Sequence, residues 1–172
     1  MSNGATSPFV PAQQPPVVRA GESLTGSPIR FIGKETFLKL AAGEGAGSIS
    51  VLEDTSPPHH GPPLHLHEFE EFFYILTGEF LFEVDGVQLD AHPGDFVHAP
   101  AGVPHLFQNT TDHDAKLLLI ARPGGIENYF AELAARSIAD PGNIAALNAI
   151  ASRYGITVLG PPIAARHKQV AQ

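Results

Sequence analysis

Cysteine is absent from the 172-residue chain, which excludes a disulfide framework and any thiolate metal site. Histidine and carboxylate side chains are then the only strong metal ligands available, and they favour a hard or borderline metal. Lysine and arginine are scarce and nowhere clustered, and the formal net charge is −8. The sequence therefore argues against a nucleic-acid partner, because phosphate binding needs a concentrated basic patch.

Long apolar runs are also missing. No stretch approaches the length of a membrane span, and the first twenty residues lack the charged-then-apolar order of a secretory signal. We therefore expect a cytoplasmic protein without a membrane partner. The hydrophobic content of 43% is enough to build one sizeable core, so we expect a single domain.

Short strands dominate the secondary structure predicted along the chain. Residues 1–27 are rich in Pro, Ser and Gly and are predicted to form an extended or disordered arm. Residues 28–122 carry short β-type runs punctuated by glycine, which predict an all-β barrel or sandwich. The apolar residues within 123–172 recur at a longer period than in a strand, which predicts helices and a tail that pack on the barrel. Asp140 is the expected N-cap of the second helix, with Pro141 at its first position.

The clearest local prediction is a hairpin at Asp85-Gly86, because this dipeptide accepts the positive φ angles of a tight two-residue turn. The pairs that this turn aligns are Val84 with Val87, Phe82 with Leu89 and Phe80 with Ala91. We expect these apolar pairs to share one core-facing side of the hairpin. Leu81 interrupts the polar side, which suggests that another surface covers it and favours a homodimer.

Two segments carry residues of the kinds that bind metals. His65 and His67 are two residues apart on a predicted strand, so both rings point to one face. Glu71 follows four residues later and keeps the same parity if the strand is unbroken. In the second segment a turn containing Pro and Gly leads into His105. Two imidazoles and a carboxylate in phase, with a third imidazole nearby, predict a chelating site.

These segments resemble the two sequence motifs of the cupin family. The first motif is matched by His65, His67, Glu71 and Gly78, and the second by Gly94, Pro100, Gly102, His105 and Asn109. One departure is His59, which stands where the family has a glycine, with Gly61 two positions later. The resemblance implies a cupin double-stranded β-helix, a jelly-roll-like barrel, with His65, His67, Glu71 and His105 as ligands of one divalent transition metal. The metal could be Mn, Fe, Co, Ni, Cu or Zn.

Within the cupins, the chain is similar to small bacterial proteins related to quercetin 2,3-dioxygenase, through Gly61-Pro62-Pro63, Pro123-Gly124-Gly125 and Arg153-Tyr154-Gly155. This likeness implies a dioxygenase that uses O₂ on a flavonol or a similar enolic or aromatic small molecule. Glu71 would be a metal ligand or the general base. A non-catalytic metal-bearing binding protein and a metal-dependent isomerase or lyase remain alternatives, because one scaffold hosts many chemistries.

Other aromatic and histidine side chains are candidates for the surroundings of the site. Phe73 and Phe107 share the inward phase and could wall a substrate pocket, although they could equally be barrel core. His59 and His60 either gate the pocket mouth or are simply solvated. The alternation of the strand leaves the direction of His98 open.

Overall fold

The computed structural model describes residues 15, 17–43, 48–136 and 143–165. The strands are β1 (Ile29–Phe31), β2 (Lys34–Leu40), β3 (Ser50–Ser56), β4 (Leu64–His67), β5 (Glu70–Thr77), β6 (Phe80–Val84), β7 (Val87–Ala91), β8 (Phe96–Ala99), β9 (His105–Asn109), β10 (Ala115–Arg122) and β11 (Ile156–Gly160). Helices α1 (Ile126–Ala135) and α2 (Ile144–Ala151), followed by a short 3₁₀ turn (Ser152–Tyr154), lie between β10 and β11.

The strands form two antiparallel sheets, with the orders β1-β2-β3-β10-β5-β8 and β11-β4-β9-β6-β7. Buried and half-buried residues alternate along β3 and β10, because successive side chains of a strand point to opposite faces. Leu52 and Leu117 of the first sheet and Phe82 of the second are fully buried. The prediction of an all-β cupin barrel is confirmed.

The hairpin prediction is confirmed in its register but not in its burial. β6 and β7 pair with the expected partners, and both turn residues have positive φ angles, 52° at Asp85 and 75° at Gly86. However, Val87 and Leu89 are 59% and 43% exposed, so the expected core face is wrong for these two residues of β7, whereas Ala91 is buried as expected. The reason is that β7 is the outermost strand of its sheet, and its side chains extend past the core.

The segment after the barrel contributes a strand as well as helices, and that strand is absent from the sequence-based prediction. β11 pairs with β4 and places Ile156 opposite His67 and Val158 opposite His65. Helix α2 begins at Ile144, and the Asn143 side chain caps it by accepting a hydrogen bond from Ala146 N at 3.1 Å. The expected cap residues 140–141 lie outside the described residues. No helix in the described ranges is long and apolar enough to cross a membrane.

Part of the predicted N-terminal arm packs on the barrel. The backbone N–H of Leu24 donates to Leu38 O at 2.9 Å, and the Leu24 side chain is buried in the core. Lys39 Nζ also donates to Arg19 O and Glu22 O, so residues 19–24 lie against β2. The remaining arm residues, 1–14 and 16, lie outside the described residues.

Candidate metal centre

Four side chains meet between the two sheets. One nitrogen each from His65, His67 and His105 and one carboxylate oxygen of Glu71 lie within 4.8 Å of one another. His65 is paired directly with His105 across β4 and β9. The structure therefore brings together all four residues that the motifs predicted as ligands.

Glu71 reaches this cluster by a different route from the one expected. The predicted strand is broken, because β4 ends at His67 and β5 begins at Glu70. β4 belongs to the five-stranded sheet and β5 to the six-stranded sheet. The condition under which Glu71 was expected to share the parity of His65 and His67, one unbroken strand, is therefore not met. The chain crosses between the sheets at residues 68–69, so the carboxylate faces the imidazoles from the opposite layer.

Local backbone carbonyls orient the three imidazoles. The Nδ1 atoms of His65, His67 and His105 lie 2.8, 2.7 and 2.8 Å from the carbonyl oxygens of Pro63, Phe69 and Val103. A carbonyl oxygen can only accept, so each Nδ1 carries the proton and donates it. Each Nε2 atom therefore keeps its lone pair for the cluster, which is the arrangement that metal-binding histidines use.

The donor set fits a divalent transition metal. Glu71 Oε2 lies 3.1 Å from His105 Nε2 and 3.3 Å from His67 Nε2. The buried His67 Nε2 has no hydrogen-bond partner, although a buried polar atom normally has one. Three imidazoles and one carboxylate suit Mn, Fe, Co, Ni, Cu or Zn. A metal ion would satisfy the unpaired nitrogen.

The protonation states also suit metal binding. Burial, followed by the neighbouring His105, lowers the pKa of His65 to about 3, so this ring is neutral at physiological pH. Burial alone would raise the pKa of Glu71, but the imidazoles of His67 and His105 outweigh it and hold that pKa well below its ordinary value. Burial alone would lower the pKa of His67, but the Glu71 carboxylate outweighs it and raises that pKa. A metal ion therefore competes with a proton for His67, because a neutral imidazole and an ionised carboxylate are the forms that bind metal ions.

A mainly apolar cavity of about 560 Å³, counting the solvent at its mouth, opens onto His65, His67 and Glu71. Apart from these three ligands, its polar lining residues are Lys34 and Tyr129, and Phe130 of α1 contributes to the apolar wall. The sequence-based candidates did not include Lys34 or Tyr129. The one sequence feature that could have indicated Lys34 is the alternation of the strand, which places Lys34 on the same inward face as Thr36 and Leu38.

The two phenylalanine candidates lie at different depths. Phe107 lines the cavity. Phe73 is 1% exposed and does not line it, and its ring centroid lies 5.6 Å from that of Phe107. Phe73 therefore supports Phe107 from the barrel core.

The remaining histidine candidates do not line this cavity. His59 pairs with Asp112 at 2.9 Å on the surface, and His60 Nε2 contacts the carbonyl oxygen of Ile32. His98 stacks on Phe72 with ring centroids 4.7 Å apart and lies 3.3 Å from Glu70. That pairing places His98 on the outer side of the six-stranded sheet.

The two-sheet barrel and its buried cluster of three histidines and one glutamate define the cupin class. Residues 53–121 match the model of the cupin domain family, in agreement with the resemblance that the two motifs carry.

The relatives of this domain have several functions. Quercetin 2,3-dioxygenase of Bacillus subtilis is 31% identical over 96 residues, which are 55% of this chain and 27% of that protein. The oxalate-binding protein of Thermotoga maritima is 35% identical over 65 residues, 37% of this chain and 54% of that protein. The solved structure of KdgF from Halomonas sp., 18% identical, gives a TM-score of 0.50 over 56% of this chain and 84% of that one, which supports the fold alone. The chain spans less than two thirds of these two curated relatives.

Proposed function

We propose that this protein is a metal-dependent dioxygenase of the quercetinase-like cupin type, acting on a flavonol or a similar enolic or aromatic small molecule. The observation that carries the proposal is the buried cluster of three imidazoles and one carboxylate beside an apolar cavity. The similarity to the quercetin 2,3-dioxygenase of Bacillus subtilis supports it.

In this proposal His65, His67, Glu71 and His105 hold one divalent metal. The bound metal would supply Lewis acidity toward an enolate oxygen and toward O₂. Glu71 is also the candidate catalytic base, because its carboxylate oxygen can accept the enol proton. Its pKa is held well below the ordinary value while His67 and His105 flank it, so it becomes an effective base only after it turns away from both rings.

The cavity wall would position the substrate and exclude water. Phe107 and Phe130 line the cavity, and aromatic rings pack well against a planar ligand. Burial raises the pKa of Tyr129 to about 12, so its hydroxyl stays protonated at neutral pH and can donate a hydrogen bond. Closing an apolar wall around the substrate strengthens polar interactions at the reacting atoms.

The metal content of purified protein tests the ligand assignment. We expect about one equivalent of a transition metal per chain in the wild type and loss of most of it in the His105→Ala variant, since removing one ligand of four leaves an incomplete site. The matched control is His92→Ala, which removes an exposed histidine outside the cluster. Equal metal content in the two variants would contradict the assignment.

Oxygen uptake by the metal-loaded protein tests the reaction. We expect O₂ consumption with a flavonol such as quercetin in the wild type and none above background in His105→Ala. The alternative is a metal-bearing binding protein without catalysis, which the similarity to the oxalate-binding protein favours. A metal-loaded wild type that consumes no O₂ with flavonols or simple enols would support this alternative. A wild type that retains no metal would overturn both functions.

A further inference from the structure

Lys34 is a buried cation in the wall of the cavity that the proposed reaction does not use. Its side chain is 4% exposed, and it forms an ion pair with Asp54, whose side chain is fully buried. Asp54 also accepts a hydrogen bond from Thr36 Oγ1 at 2.5 Å. Thr36 and Asp54 are direct partners across β2 and β3, and Lys34 lies two residues before Thr36 on the same face. The strand register therefore fixes this ion pair on the inner side of the barrel.

Three aromatic rings surround the ammonium group. Lys34 Nζ lies 5.0 Å from the centroid of Phe31, 5.2 Å from that of Phe130 and 6.0 Å from that of Phe107. These are cation–π distances. An ammonium group has three N–H donors, and among the described residues Asp54 is the only hydrogen-bond partner of Nζ. Lys34 therefore keeps donor capacity toward the cavity that it lines.

This ion pair is not expected to add much to the stability of the fold. Taking two charges out of water costs several kcal/mol per ion, and a well-packed apolar pair in the same place is often as stable or more so. Among the residues that line the cavity, Lys34 is the only lysine or arginine. The pair therefore places a positive charge in an otherwise mainly apolar wall, beside the metal ligands.

Phe107 connects this cation to the metal cluster. Phe107 and His105 are two residues apart on β9, a separation of about 7 Å along a strand, and Lys34 lies against the Phe107 ring. A ligand that reaches both the cluster and Nζ must then span on the order of one or two aromatic rings. With a dication on the cluster, the ion and Lys34 outweigh Glu71 and Asp54 by one positive charge, which one anionic group on the ligand neutralises.

We infer that Lys34 is a specificity-determining residue that binds an anionic oxygen of the ligand, so that the preferred substrates are aromatic carboxylates or phenolates rather than neutral arenes. The inference rests on the proposed function for the reaction, but it concerns binding and can be tested separately. Asp54 and Thr36 act as positioning residues, because they hold the ammonium group in the cavity wall.

The test is isothermal titration calorimetry with two probes of nearly equal shape, 2-naphthoate and its neutral amide, on metal-loaded protein. Hydrogen bonds to charged groups contribute about 1.5–3 kcal/mol, so we expect the wild type to bind the carboxylate roughly 10- to 100-fold more tightly than the amide. The Lys34→Met/Asp54→Asn variant removes both charges together, and we expect it to lose this preference while it retains the metal.

The matched control removes an ion pair from the outer side of the same two strands. Lys39 and Glu53 lie 3.5 Å apart, each with 15% side-chain exposure, and the Lys39→Met/Glu53→Gln variant should keep the wild-type preference. Circular dichroism and metal content establish that each variant is folded and loaded. If Lys34→Met/Asp54→Asn does not fold, Lys34→Gln/Asp54→Asn keeps polar groups at both positions and takes its place.

Retention of the carboxylate preference in the folded inner-pair variant would overturn the inference, because the carboxylate would then be bound by the metal instead. Equal affinity of the wild type for the two probes, or no binding of the carboxylate, would also overturn it. A wild type that consumes no O₂ but shows a preference dependent on Lys34 would refute the proposed reaction and support this inference. Turnover of flavonols without a carboxylate preference that depends on Lys34 would support the proposed reaction and refute this inference.

Discussion

Replacing Gly61 by alanine should disturb both the stability and the metal site. Gly61 is buried in the loop before β4, and a Cβ atom there would lie 1.8 Å from Phe107 O and 2.8 Å from the Phe107 carbonyl carbon. Real Cβ atoms essentially never come within 3.0 Å of a heavy atom outside their own residue and its chain neighbours. The loop and β9 would therefore have to separate by at least about 1.2 Å, and the atoms in conflict belong to backbone that cannot rotate away.

The free-energy cost of this separation depends on the contacts between the loop and β9. Asn109 N donates to His60 O at 2.9 Å, directly beside the clash. Overpacking in a core costs about 1–3 kcal/mol, and an unpaired buried backbone group adds about 1–3 kcal/mol. We expect Gly61→Ala to lower the free energy of unfolding by about 3–5 kcal/mol, which corresponds to a fall in Tm of roughly 10 °C for a chain of this size.

Urea denaturation followed by circular dichroism measures this change, and metal content measures the effect on the site. We expect reduced metal affinity, because β9 carries His105 and Phe107. Gly43→Ala is the matched control, since a Cβ there meets nothing within 4 Å and its backbone does not have a positive φ angle. A Gly61→Ala variant whose unfolding free energy lies within about 0.5 kcal/mol of wild type, the usual range of harmless surface changes, would refute the reasoning.

Three further substitutions test other buried groups. Asn109→Ala removes a side chain that donates to Ser56 O, Pro57 O and His113 O and accepts from Thr111; we expect a loss of about 3 kcal/mol in urea denaturation. Glu127→Gln, where the carboxylate accepts from Ala42 N and Ser50 Oγ, should cost about 1–3 kcal/mol in the same assay, and an unchanged midpoint would contradict that role. Burial lowers the pKa of His60 below 6.5, so its contribution is complete above pH 6.5 and is lost as the pH falls toward the folded-state pKa. His60→Gln should therefore have a weaker acid dependence of stability below pH 6.5, and parallel curves would contradict this.

The ligand set could be predicted because it depends on local spacing. The alternation of a strand places His65 and His67 on one face, and the Asp85-Gly86 turn fixes the register of β6 and β7. Glu71 shows the limit of this reasoning. Its place in the cluster was predicted on the condition of one unbroken strand, and that condition is not met, because spacing does not reveal where a chain passes from one sheet to the other.

Features that depend on distant segments could not be predicted in this way. β11 is recognised as a strand through its pairing with β4, some 90 residues earlier in the chain. The Lys34–Asp54 pair combines a lysine and an aspartate that look like ordinary solvated charges in the sequence. Their burial arises from the pairing of β2 with β3 and from the rings of Phe107 and Phe130 that lie beside the ammonium group.

The crossing at residues 68–69 also has a mechanical consequence. Three of the four cluster residues belong to the five-stranded sheet, and Glu71 alone comes from the six-stranded sheet. An ion held by all four is thus a cross-link between the two layers, and one carboxylate carries that cross-link. A ligand that displaced Glu71 from such an ion would therefore remove this link between the two sheets.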